Sequence, residues 1–218
     1  MGNLKILTAL MVLAVALCGS GAAIAFDAKH LMKLKALDAC KGCDLSGANF
    51  EKANLSSADL RGANLRAAYF REAYLSKASL SNAFFWDTDM RGVNLRGANL
   101  EKANLWGTDF RDANLEKANL KGANLKGANL IGAKLKGANL SEANLRRVAL
   151  RGLVMSEANR GVDLRGVLLS GANLSDVDLS KANLRGVDLS TAILKGADLD
   201  GAILCKTLMP WGEENSGC

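Results

Sequence analysis

KANLKGANLKGANL, residues Lys117 to Leu130, brings Ala-Asn-Leu back every five positions. The same period runs, with one fault, from Cys43 to Leu204. Each unit has a large apolar centre. The centres run by fives from Leu45 through Phe50 and Leu55 to Met155, then from Leu164 to Leu204. Two positions before each centre stands a small residue, mostly Ala, with Cys43, Thr88, Val93, Thr108 and Val148 among the exceptions. Asn or Asp usually lies between the two, and two polar or glycine positions close the unit.

Neither regular element can use this spacing continuously. At about 100° per residue a helix would rotate successive centres by roughly 140° and smear them around its whole surface. In a strand, side chains alternate faces, so an odd repeat would send successive centres to opposite sides. The pattern works if the chain turns a corner in every unit. The small residue and the centre then share the inward face, Asn or Asp sits at the edge between them, and the two polar positions make the corner. Stacking such units gives a solenoid with a thin core of Leu on Leu and Ala on Ala.

The unit Ala118-Asn119-Leu120-Lys121-Gly122 resembles the pentapeptide-repeat family, whose motif is a small residue, Asn or Asp, Leu or Phe, and two variable positions. The resemblance covers roughly three quarters of the chain and implies an all-β, right-handed quadrilateral β-helix with four units per coil. The 33 units, counting the faulty one, make about eight coils.

The 218 residues are 49% apolar, enough for one extended domain. Residues 1–25 read as a signal peptide: Lys5 gives a positive start, Ile6 to Leu17 is apolar, and Ala23-Ile24-Ala25 fits a small-x-small cleavage site before Phe26. Two alternatives stay open, an uncleaved anchor and a lipoprotein acylated at Cys18, although Leu17 is larger than lipoprotein processing normally takes. Cleavage removes one of 28 basic residues and none of 22 acids, leaving a net charge of +5. Residues 26–42 are expected to form a helical N-terminal cap with Asp27 as its first polar cap and Leu31, Leu34 and Leu37 on one side. It would plug the open bottom of the solenoid core. His30, the single histidine, has no neighbouring ligand and reads as a surface residue.

Residues 43–204 form the solenoid and 205–218 a C-terminal cap. Cys40-Lys41-Gly42-Cys43 can read as a redox motif, half a zinc site or a small structural disulfide. Cys205 and Cys218 lie beyond the last coil. Eight coils at about 4.8 Å each separate the two pairs by nearly 40 Å, which excludes a four-cysteine zinc site within one chain. In an exported chain, disulfides Cys40–Cys43 and Cys205–Cys218 are expected, one at each end. The segments 43–50 and 208–218 resemble the termini of exported pentapeptide-repeat proteins, many of them cyanobacterial.

The register fails once. Ala158-Asn159-Arg160-Gly161 places Arg at a core position and is one residue short. Burying an unpaired Arg is costly, so a bulge that turns Arg160 outward, with a kink or offset of the coil near residues 153–163, is expected.

Residues 20 apart should stack. One corner then carries Arg66, Trp86, Trp106, Lys126 and Arg146, and the next carries Glu51, Arg71, Arg91, Arg111, Ile131 and Arg151. Tyr69, Tyr74 and Phe84 stand where Asn or Asp is usual. Stacked tryptophans beside cations suit recognition of a partner protein, a glycan or an anionic polymer. Aromatic ladders also stabilise sheets without binding anything, and an arginine row also reads as a solvated face. With one histidine there is no Ser-His-acid or Cys-His arrangement and no metal cluster, and the glycine spacing belongs to the repeat. No enzyme activity, cofactor or metal is expected.

The expected function is therefore an exported, non-enzymatic scaffold in the periplasm, the thylakoid lumen or the medium. It would bind a protein or an envelope component through the aromatic and basic face. Binding of an anionic polymer, glycan or lipopolysaccharide, by the arginines is the alternative. The resemblance adds a third reading, since some members of the family mimic DNA and bind topoisomerase. That role needs an acidic surface, and both the basic charge and the export signal oppose it. Nucleic acid is excluded as a partner on the same ground of export. Association of two copies into a homo-oligomer is left open.

Overall fold

The structure, a computed structural model, describes residues 28–148, 164–177 and 179–218. The signal segment 1–25 and the faulty unit, with Arg151, Met155 and Arg160, lie outside the described residues. Helix α1 spans Ala28–Leu37, the coils follow, and the chain ends in a hairpin of β1, Thr207–Met209, and β2, Gly212–Glu214.

The described units, with one exception, turn their corners in the same way. The carbonyl of Leu45 accepts the N–H of Ala48 at 3.2 Å, and Gly47 between them has φ 69°. A positive φ at that position alone is the signature of a type II turn. Glycine reaches it freely. Lys52 at 56° and Asp87 at 53° take the same conformation, at a cost of roughly 1–2 kcal/mol for a residue with a Cβ. Among the described corners Thr191 is the exception: its β-branched side chain resists the left-handed region. Its hydroxyl, not a backbone carbonyl, accepts the Gly171 N–H at 2.9 Å.

Above each turn the chain stacks in parallel register. Four ladders rise through the coils at intervals of 20 residues, one through each edge position, as in Asn99, Asn119 and Asn139. Leu45 donates to the carbonyl of Asn64 at 2.8 Å, Asn64 to Cys43 at 2.8 Å, and Gly47 to Arg66 at 2.9 Å. Each unit thus ties itself to the coil above and the coil below. The coil is four-sided because four such units complete it. Inside, the centres and small residues are almost wholly buried. Phe50 stacks on Phe70 with ring centroids 4.9 Å apart. Where Thr takes the small position, its hydroxyl needs a partner. Thr88, Thr108 and Thr207 donate to the carbonyls of Leu65, Phe85 and Leu184 at 3.0, 2.8 and 2.8 Å.

The two ends are closed differently. At the bottom, α1 lays Leu34 over the first coil with 3% of its surface exposed. His30, half-exposed, has a structural partner: its Nδ1 accepts the N–H of Asp44 at 3.1 Å. In a higher coil that N–H would donate to a carbonyl of the coil beneath, as Asn64 does to Cys43. Asp44 has no such coil below it, and the ring takes the carbonyl's place. At the top, the hairpin folds back so that Leu204 donates to Ser216 and Lys206 to the side chain of Asn215. Leu194, Leu199 and Leu204 stay only partly buried there. The ladders reach beyond the repeats 43–204 at both ends, to Ala39 and Leu208.

The register fault appears as a length. Asn139 pairs with Leu168 and Asn144 with Asn173, 29 residues apart where other rungs are 20 apart, so this span holds nine residues more than a coil needs. That is two units less the missing residue. The stack resumes in register above them.

Candidate functional site

Asn and Asp hold the edge positions for a local reason. Their side-chain oxygen accepts the N–H of the first corner residue two positions on, as Asn49 does from Glu51 at 2.9 Å and Asn114 from Glu116 at 3.1 Å. Without it, that N–H has no acceptor within the turn. Asn side chains also join into ladders, Asn119 donating to Asn99 and Asn139 to Asn119 at 3.2 Å each.

One coil abandons this device completely. Across residues 66–85 the four edge positions hold Tyr69, Tyr74, Ser79 and Phe84. The N–H groups of Arg71, Ser76, Ser81 and Trp86 therefore lack the side-chain acceptor that Asn or Asp supplies at most other described corners, single exceptions such as Lys134, Leu168, Ile193 and Ile203 apart. What replaces it is exposed aromatic surface. Tyr69 is 55% exposed, Tyr74 52% and Phe84 47%, beside Trp86 at 41% and Trp106 at 39%. Trp86 and Trp106 lie on one corner, with ring centroids 5.0 Å apart and planes tilted by 45°. They pack on each other and still present faces to solvent. Arg66 sits one step below them, its Nε donating to Asn64 at 3.0 Å, and Lys126 one step above.

The arginine row at the next corner is not a row of free cations. Asp89 accepts from Arg91 at Nε, 2.8 Å, and Nη2, 2.5 Å. Asp109 accepts from Arg111 at Nε, 3.0 Å, and Nη2, 2.6 Å. Asp59 and Arg61 make the same fork. The fork holds the Asp89 and Asp59 carboxyls below the usual carboxylate range and raises the arginines. At Asp44 and Asp188 a serine two residues on has that effect. The forks were legible only as a spacing, Asp-x-Arg within one unit. Arg71 follows Tyr69 and has no such partner; its nearest acid is Glu72 at 3.8 Å.

The sequence-derived candidates thus separate into two groups. Trp86, Trp106, Tyr69 and Tyr74 share the level of one coil and the corner above it, while Arg91 and Arg111 are occupied by their own aspartates. The Sγ atoms of Cys40 and Cys43 lie 2.01 Å apart, and those of Cys205 and Cys218 2.09 Å apart, at opposite ends of the solenoid. Among the described residues, no group of His, Cys, Asp and Glu is placed to hold a metal ion. No described helix is long and apolar enough to cross a membrane.

A family model described as pentapeptide repeats, in 8 copies, matches residues 40–71, 68–107, 108–147, 123–159, 160–196 and 172–209. Among solved structures the chain is similar to HetL, a pentapeptide repeat protein involved in heterocyst differentiation regulation from the cyanobacterium Nostoc sp. strain PCC 7120. The identity is 30% over 84% of this chain and 96% of that one, with a TM-score of 0.41. It is also similar to the pentapeptide repeat protein Rfr23 from the cyanobacterium Cyanothece 51142, at 28% identity over 65% and 98% of the two chains, with a TM-score of 0.47. A pentapeptide repeat protein from the Arabidopsis thaliana thylakoid lumen matches at 23% identity over 66% and 70%, with a TM-score of 0.26. No curated protein sequence matches the chain.

Proposed function

The chain belongs to the pentapeptide-repeat family, and from that premise we propose that it is an exported, non-enzymatic scaffold that binds a protein or an envelope component through its aromatic coil. The observation that carries this is the coil 66–85, where all four edge positions give up Asn or Asp and Tyr69, Tyr74 and Phe84 stand exposed beside Trp86 and Trp106. Replacing a hydrogen-bonding residue by an exposed aromatic gains the coil nothing in its own backbone. Tyr and Trp at that site offer large, rigid contact area to a partner.

The same reading takes the family's right-handed quadrilateral coil, a cleaved signal at 1–25, a cap at 26–42, a solenoid at 43–204 and a terminal cap at 205–218. Two cysteine pairs at disulfide distance fit an oxidising compartment, whether periplasm, thylakoid lumen or medium. Binding of an anionic polymer by the arginine row is the weaker reading, because the aspartate forks on Arg91 and Arg111 already spend those donors. DNA mimicry is weaker again, for a chain whose formal charge is +6.

Affinity capture from an envelope extract tests the proposal, with wild type and a Trp86→Ala/Trp106→Ala variant side by side. A partner retained by the wild type and lost by the folded variant is the expected result. Equal capture by both would place binding away from the aromatic corner.

A further inference from the structure

Three corners of this solenoid show what an arginine at the first turn position is built to hold. In the units Asp59-Leu60-Arg61, Asp89-Met90-Arg91 and Asp109-Phe110-Arg111, one carboxylate accepts three donors from the arginine two residues on. The backbone N–H lies at 3.3, 3.2 and 3.1 Å, Nε at 2.8, 2.8 and 3.0 Å, and Nη2 at 2.6, 2.5 and 2.6 Å. The unit Tyr69-Phe70-Arg71 has the same backbone. Tyr69 bridges to Asp89 in the ladder, Glu72 takes the same left-handed turn conformation at φ 56°, and Lys52 donates to the Arg71 carbonyl at 2.9 Å. The donors are retained and the carboxylate is gone. Glu72 does not replace it: its oxygen is 3.8 Å from Arg71 Nε, beyond hydrogen-bond length, and it also lies 3.9 Å from Lys52.

We propose that Arg71 is a binding site for a carboxylate supplied by a ligand, seated where Asp59, Asp89 and Asp109 seat their own. Two parallel N–H···O bonds from a guanidinium match a planar carboxylate, the group that the three forked corners already hold. Tyr69 and Tyr74, both exposed, hold the edge positions of the two faces that meet at this corner. The occupant is an Asp or Glu side chain of a protein partner: the exposed tyrosines offer contact area to a polypeptide, and the guanidinium supplies a charge-specific anchor among the neighbouring charges of Glu72 and Lys52. The inference deepens the scaffold reading by assigning an acidic residue to the partner, and its test does not depend on the partner being found.

Sodium acetate is titrated into the exported protein at constant ionic strength, and the backbone N–H and Nε–H resonances of the arginines are followed by NMR. Arg71 is expected to shift and saturate while Arg91 and Arg111, already forked, stay in place. Tyr69→Asp, which restores the family's own residue, is expected to abolish the acetate shift. If Arg71 moves no more than Arg91 and Arg111, or if Tyr69→Asp still responds to acetate, the site does not exist. Sulfate or phosphate moving Arg71 as far as acetate would overturn the carboxylate assignment. N-acetyl-aspartate amide should act at lower concentration than glucuronate; the reverse order would overturn the protein source. Failure here leaves the scaffold reading standing, since that reading is lost only if the tryptophan variant captures the same partner.

Discussion

Two coils of this solenoid, residues 66–85 and 106–125, have the same turns and the same kind of core and differ at their edges. The first buries Phe70, Leu75, Leu80 and Phe85, and the second Phe110, Leu115, Leu120 and Leu125, none of them measurably exposed. At the edges the first carries Tyr69, Tyr74, Ser79 and Phe84, the second Asp109, Asn114, Asn119 and Asn124. Every edge side chain of the second coil accepts a corner N–H, those of Arg111, Glu116, Lys121 and Lys126. The first makes no such bond. Core and edge are thus separable in this fold. The inward residues hold the coil together, and the outward ones can be exchanged for recognition, because the corner residues whose N–H groups they leave behind, Arg71, Ser76, Ser81 and Trp86, are exposed or half-exposed.

That separation is tested most severely in the core. Leu75→Ala and Leu115→Ala remove equivalent buried side chains and should each destabilise the protein by about 2–5 kcal/mol in urea unfolding. A much smaller cost at Leu75 would mean that the aromatic coil is less tightly packed than its neighbour. At the edge the effects shrink and change sign between the coils. Asn119→Ala loses the bond to Lys121 and two ladder bonds and should cost about 1 kcal/mol, whereas Tyr74→Ala should stay within about 0.5 kcal/mol of wild type. Tyr74→Asn should raise the urea midpoint; a lowered midpoint would show that the tyrosine is a structural element.

Acid distinguishes the edges further. The Asp59 and Asp89 carboxyls are held low chiefly by the hydrogen bonds from Arg61 and Arg91, and Asp44 and Asp188 by those from Ser46 and Ser190. Their folded pKa lies below the unfolded one, so the unfolded chain binds more protons between the two. Their contribution is complete above the unfolded value of about 3.9 and is lost as pH falls through the folded values. The unfolding midpoint should therefore fall on acidification in that window, and Asp89→Asn should flatten the fall. An unchanged slope in that variant would show that the Arg91 fork contributes nothing to stability. The smallest effect is expected from Arg111→Lys, which gives up the bidentate geometry of an exposed pair and should leave the urea midpoint close to that of wild type.

Much of the fold was legible because the repeat is local. Any unit contains the whole rule: a centre to bury, a small residue beside it, an Asx to accept the corner N–H, and a corner. The stacking of Trp86 on Trp106 followed from their separation of 20 residues, and the ring of Tyr69, Tyr74 and Phe84 from their place in the unit. Arg91 and Arg111 were less legible. As letters they are two cations in a basic row, and only rotamers brought within reach of the preceding aspartate turn them into closed forks. The hydrogen bond of His30 was not legible, for a similar reason. Its partner, the N–H of Asp44, is 14 residues away, and nothing in the intervening sequence says that α1 will bring the ring to it.

The sequence alone determined the five-residue unit, the corner in each unit and the inward and outward faces, since these follow from side-chain size and period within a few residues of chain. The tertiary structure decided what depends on contacts between coils and between ends. It shows that the span from Asn144 to Asn173 holds nine residues more than a coil, that the Thr191 hydroxyl stands in for a carbonyl, that an imidazole closes the first rung, and that among the described arginines of one corner Arg91 and Arg111 have an aspartate fork and Arg71 does not. Periodicity fixes where a side chain points; which donor meets which acceptor is settled by distances across the stack, and those exist only once the coils are laid on one another.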